Sequence, residues 1–202
     1  MATRHLVRTV VLQSLYEWDF YAQKRDLVAI LERNLNEFAP GIDEPDFAWR
    51  IMKGVREHLS EIDGILTKAA PEWPLTKVAL IDRNILRIGL YELLYADHHE
   101  VPPKVAINEA IEIAKSYGGP NAGRFVNGVL GTVYRTIKDQ ERETKTVAPT
   151  SAVPVAPVAP LSHAPSASPA PLPSKPKLTF DAKPASEPKS EVSSESTPSE
   201  PK

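Results

Sequence analysis

The chain has 202 residues, 42% of them hydrophobic and 25% charged, with a formal net charge of −2. A balance this even excludes a uniformly basic nucleic-acid binder, and the absence of cysteine excludes disulfides, thiolate metal sites and cysteine nucleophiles. No uncharged apolar run approaches the roughly 18 residues a membrane span needs, and the N-terminus lacks the apolar stretch and cleavage site of an export signal, so a cytoplasmic protein is expected.

Apolar residues recur near every 3.6 positions through residues 1–146, and none of this stretch alternates cleanly with period two. The first helix is predicted over 4–22, with Leu6, Val7, Val10, Val11, Leu15 and Trp18 forming one stripe. Asp26 is suited to cap a second, DLVAILERNLNEFA, which stops near Pro40-Gly41. The acidic, proline-bearing DEPDF starts a third, carried by Phe47, Ile51, Val55 and Leu59, and Ser60 restarts the chain as SEIDGILTKAA with Ile62, Ile65 and Leu66 inward.

PEWP (71–74) breaks the chain. From Leu75 to about Ala96 runs its most apolar segment, including Val78, Ile81, Ile85, Leu86, Ile88, Leu90, Leu93 and Leu94. Being apolar around most of its circumference, it is expected to be the central helix of a bundle. EVPPK separates it from VAINEAIEIAKSY, in which Ile107, Ile111 and Ala114 share one face and Asn108, Glu112 and Lys115 another; Gly118-Gly119-Pro120 then stops the helix.

The last apolar segment holds FVNGVL (125–130), whose Asn-Gly pair is a hairpin signal when alternating residues flank it. Here they do not alternate: Phe125, Val129 and Val133 recur every four residues, with Val126, Leu130, Tyr134 and Ile137 alongside, so a helix capped by Asn121 is predicted. Gly128 and Gly131 inside it cost about 1 kcal/mol each relative to alanine, which suggests that another backbone passes close by and that Asn127 bonds a neighbouring element. The expected fold is all-α, about seven helices in two sub-bundles split near PEWP. After residue 146 lie 13 of the 20 prolines, among Ser, Ala, Val and Lys, with five lysines balancing five acids. Residues 147–202 therefore read as a disordered, low-complexity spacer tail following a folded domain of residues 1–146.

No catalytic constellation is present: there is no GxxxxGK[ST], no HExxH and no GxGxxG. His98-His99 point about 100° apart on a helix, which suits charge at a helix end better than a shared metal. Glu112 and Lys115 suit a solvated helix face. Two local signals for single-stranded nucleic acid remain. The first turns carry Arg4, His5 and Arg8 with no acid before Glu17. The second is the Gly118–Phe125 stretch, where a glycine-rich helix start offers N–H groups to phosphate, Arg124 adds charge and Phe125 a stacking ring.

Arg8 opens RxxxxQSLYEW; LRIGLYELL and VPPKVAINEAIEIAKSYG follow, then RFVNGVL. Together these motifs resemble the NusB family of bacterial transcription antitermination factors, over the body to about Ile137. The resemblance implies an all-helical, non-enzymatic protein without metal or cofactor. It would bind the boxA segment of nascent ribosomal RNA transcripts together with NusE, a small-subunit ribosomal protein, and help RNA polymerase in the antitermination complex resist termination. It places RNA at Arg4, His5, Arg8, Asn121, Arg124 and Phe125, and NusE at Tyr16 and Asp82. The Pro-rich tail lies outside the family pattern. The rival expectation is a protein-only helical scaffold for NusE without RNA affinity, and the sequence leaves both a monomer and a homodimer open.

Overall fold

Each periodic segment folds as a helix in the computed structural model, which describes residues 2–146. The helices are α1 (Ala2–Phe20), α2 (Leu27–Phe38), α3 (Pro45–Glu57), α4 (Leu59–Ala69), α5 (Leu80–Leu94), α6 (Pro103–Tyr117) and α7 (Ala122–Thr146), with no strand among the described residues. The expected tail, 147–202, lies outside them.

Local chemistry sets most boundaries. The Asp26 carboxylate accepts from the Val28 N–H at 3.0 Å, capping α2 as expected. Pro45 and Pro103 stand in the first turns of α3 and α6, where a missing N–H costs nothing. Gly41 takes a left-handed φ of 73° just beyond α2. α1 runs two residues earlier than the expected 4–22 at both ends, and two helix starts also differ from the sequence reading. α4 begins at Leu59, with His58 ending α3 and starting α4 at once; the Ile62 N–H donates to its carbonyl at 2.8 Å. α5 begins at Leu80, not Leu75, because Pro74 accepts from the Lys77 N–H at 2.7 Å and holds a turn there.

α5 is central, packing against α1, α3, α4, α6 and α7. α1 with α2 and α3 forms one group. α4 packs on α5 and α7, so the division between groups falls at His58, one helix before PEWP. One continuous core joins them, from Val7, Leu15 and Leu31 through Ile51, Ile85 and Leu90 to Ile113 and Leu130. Two polar residues buried on α5 find partners within the fold: Arg87 donates to Asp63 at 2.7 and 2.8 Å and to Asp19 at 2.9 Å, and Asn84 donates to Asp19 and the Leu80 carbonyl.

The expectation for Gly128 and Asn127 is overturned. A Cβ on Gly128 or Gly131 would meet nothing within 4 Å, and Asn127 is exposed. Close approach occurs instead at Gly89 on α5, where a Cβ would lie 2.8 Å from Leu130 Cδ1 and 3.2 Å from Ala110 Cβ. This also explains the face of α6: Ala106, Ala110, Ile113 and Ala114 are buried, whereas Ile107 and Ile111 are half-buried, because small residues let α6 settle against α5.

Candidate nucleic-acid and partner interface

The basic start of α1 lies in a ring of carboxylates. Arg4 Nε donates to Glu44 at 2.7 Å, and its Nη2 to Glu100 at 2.9 Å. Glu100 also accepts from Arg50 at 2.6 Å. The Arg4, Arg8 and Arg50 guanidiniums stand 4.9, 5.0 and 5.7 Å from the centre of the Phe47 ring, within cation–π range. The hydrogen bond and charge of Arg4 hold the Glu44 carboxyl below its ordinary value. His5 Nδ1 lies 3.0 Å from Glu109 Oε2.

Arg8 is buried. Its Nε donates to both oxygens of Glu92, at 3.0 and 2.9 Å, and its Nη1 lies 3.5 Å from Glu109. Burial pushes the Glu92 carboxyl up against the opposing pull of Arg8. The expectation that RNA meets Arg8 is therefore corrected: its charge is taken up inside the core by Glu92, 84 residues further along the chain on α5. Glu92 was missed in the sequence; its place in the apolar run IGLYELL was the signal that could have found it.

At the α6–α7 junction Lys115 is paired with Glu112 at 2.7 Å on the exposed face of α6, whereas Arg124 is not so engaged. Asn121 and Arg124 are exposed, and Arg124 forms no ion pair among the described residues. The Asn121 carbonyl accepts from the Phe125 N–H at 3.0 Å, placing Asn121 at the start of α7; Ala122 N–H donates to Gly119. Lys115, Gly118, Gly119, Pro120, Gly123 and Arg124 line a polar cleft of about 470 Å³. Phe125 is half-buried, with its ring edge against Trp73, centroids 6.1 Å apart. Trp73 was legible in the sequence only as part of a chain break.

These two basic regions do not touch. They are strung along α6, since His5 meets Glu109 and the cleft begins at Lys115, a rise of about 9 Å.

Tyr16 is exposed and stacked on Phe20 at 6.2 Å, and Phe20 meets Tyr21 edge-on at 5.2 Å. Tyr16, Gln13, Asn34, Phe38 and Ile81 help line a groove of about 400 Å³ between α1, α2 and α5. Gln13 Oε1 is buried there without a hydrogen-bond partner. Asp82, one residue beyond Ile81, lies against the α6–α7 loop instead: a Cβ added to Gly118 would come 2.8 Å from its Oδ1. That oxygen also has no partner, and burial raises the Asp82 pKa. No cluster of His, Asp and Glu able to hold a metal occurs among the described residues, and none of their helices is long and apolar enough to cross a membrane.

Known proteins bear the same pattern. The NusB family model matches residues 5–135. A transcription antitermination protein NusB of Chloroflexus aggregans is 44% identical over 130 residues, 64% of this chain and 85% of that one. Another, from Roseiflexus castenholzii, is 40% identical over 139 residues, covering 69% and 96%. In three dimensions the body resembles the T. maritima NusB, with 38% identity and a TM-score of 0.60 over 65% of this chain and 90% of that one. It also resembles a chain in the structure of antitermination factors NusB and NusE in complex with dsRNA, at 26% identity and TM-score 0.59, covering 67% and 98%. With a family model matching most of the chain and relatives alike over nearly their whole length, this helical protein belongs to the NusB family.

Proposed function

We propose that the chain is a non-catalytic cytoplasmic transcription antitermination factor that binds boxA-type single-stranded RNA of nascent ribosomal transcripts together with NusE, and so helps RNA polymerase resist termination. The observation that carries the RNA side is the unpaired Arg124 on the rim of a polar cleft at the start of α7, with Phe125 beside it. Asn121 completes this part. Arg4 and His5 stand along the path to it, and Arg8 acts as a buried strut beneath them. The name and partners of the similar NusB–NusE–dsRNA complex support the same reading.

NusE is assigned to the aromatic face of α1. Tyr16 and Phe20 offer the amphipathic rings favoured at interface cores, and the groove reaches Ile81 on α5. Residues 2–146 form the binding body, and residues 147–202 serve as a spacer.

A second reading, a scaffold that binds NusE without RNA, is favoured by one observation: Arg4, His5 and Arg8 all face carboxylates of the same chain. Pull-down from lysate with and without RNase separates the two. RNA recovered with NusE, and lost together with affinity on Arg124→Ala, supports the first; RNase-indifferent recovery of NusE alone, with no RNA retained by the parent, supports the second.

A further inference from the structure

Gly128 stands bare on α7, yet no helix lies over it. What it opens is a second cleft, of about 330 Å³, lined among others by Ala70, Trp73, Arg124, Phe125, Gly128 and Thr132. Trp73 is 58% exposed on the PEWP connector and its ring stands at 63° to that of Phe125. The two rings thus form a corner, with the bare backbone of Gly128 beside it. Arg124 is on the rim of both this apolar cleft and the polar one next to it.

We infer that Trp73 is a nucleobase-stacking residue, and that the Trp73–Phe125–Gly128 cleft holds one base of a single-stranded RNA whose adjoining phosphate is held at Arg124, beside Lys115, which Glu112 already pairs at 2.7 Å. This rests on the RNA reading above and adds a subsite to it. The occupant follows from the order of chemistry along the surface. A nucleotide alternates an anionic phosphate with a flat ring, and the protein alternates a cationic polar cleft with an aromatic one, sharing Arg124 between them. Glu72 also lines the apolar cleft, which disfavours a phosphate there and leaves the uncharged ring as the part that enters. Stacking on an aromatic face tolerates any base, so the cleft contributes affinity more than sequence choice.

The test uses the full chain with NusE and a short single-stranded boxA-type RNA, alongside the same RNA made abasic at successive positions. Trp73→Ala is expected to weaken binding by about 5- to 150-fold, with Trp73→Phe retaining most of it and the salt dependence unchanged. RNA should quench tryptophan fluorescence in the parent and much less in Trp73→Phe, since of the other two tryptophans Trp18 is buried and Trp49 is partly buried against the core. Gly128→Leu provides the second variant. It leaves the Trp73–Phe125 pair in place, has open space for its side chain, and should weaken RNA binding by filling the cleft. One abasic position should erase the difference between parent and Trp73→Ala. Folded variants that bind RNA as the parent does overturn the inference while leaving the RNA reading intact. Loss of NusE with RNA affinity unchanged overturns it too, making the cleft a protein-docking surface. A parent that binds no RNA overturns both.

Discussion

Arg8 and Glu92 meet inside the protein, with 3% and 1% of their side chains exposed, so a cation near the N-terminus is committed to α5 rather than to solvent. Removing one member of such a pair strands the other charge. Arg8→Ala should cost about 3–5 kcal/mol of stability, read by denaturant unfolding. The loss should depend on pH. A buried carboxyl with a raised pKa supplies its stability below the ordinary carboxylate range and loses it as pH rises through the folded value. In the variant, with the counter-charge gone, Glu92 is raised further, so the deficit should be small in acid and grow towards neutrality. A deficit independent of pH would show that Glu92 is not the group left behind.

Arg4 is engaged by the protein's own acids, so its deletion alone should change RNA affinity little. Freeing it should matter more. The double substitution Glu44→Gln with Glu100→Gln is expected to tighten RNA binding and to steepen the log–log salt dependence by about 0.7, one added phosphate contact. Arg4→Ala placed in that background should abolish the gain. If the gain survives without Arg4, it came from net charge alone.

Asp82 carries a buried oxygen with no partner and a pKa raised by desolvation. Its contribution to stability is present below the ordinary carboxylate value and is lost as pH rises through the folded one. Asp82→Asn keeps the shape without the charge and should melt higher than the parent at neutral pH, with the advantage shrinking as pH falls into the carboxylate range. Equal melting temperatures at neutral pH would mean that solvent already satisfies the carboxylate.

Two glycines should respond oppositely to alanine. At Gly118 a Cβ would meet the Ala122 side chain, and would lie 2.7 Å from the Ala114 carbonyl, which belongs to the α6 backbone and cannot swing aside. Gly118→Ala should therefore destabilise by about 1–3 kcal/mol. Gly128→Ala meets nothing and should gain about 1 kcal/mol from helix propensity. Thermal melts of the two variants decide both.

The helices were legible because burial leaves a local trace. The four-residue spacing of Phe125, Val129 and Val133 ruled out a hairpin at Asn127-Gly128, and Asp26 announced α2. What failed was whatever depends on distant partners. A glycine in a helix looks the same whether its missing Cβ admits another helix, as at Gly89, or leaves a cleft open, as at Gly128. A run from Leu75 looked helical until Pro74 held its turn. Arg8 next to Arg4 read as a solvated basic turn, since the acids that face them stand 40 to 101 positions away in sequence and only the fold brings them in.

The contact of Asp82 with Gly118 joins the first turn of α5, beside the groove at Ile81, to the loop that opens the polar cleft. A partner that draws Asp82 away from the loop gives the loop room, and a ligand that tightens the loop holds Asp82 in place. Linkage then imposes a symmetry: the factor by which NusE changes RNA affinity must equal the factor by which RNA changes NusE affinity. Any such coupling is a single quantity, and Gly118, against Asp82 and on the wall of the polar cleft, is a position where a substitution would alter it without removing a side chain from either surface.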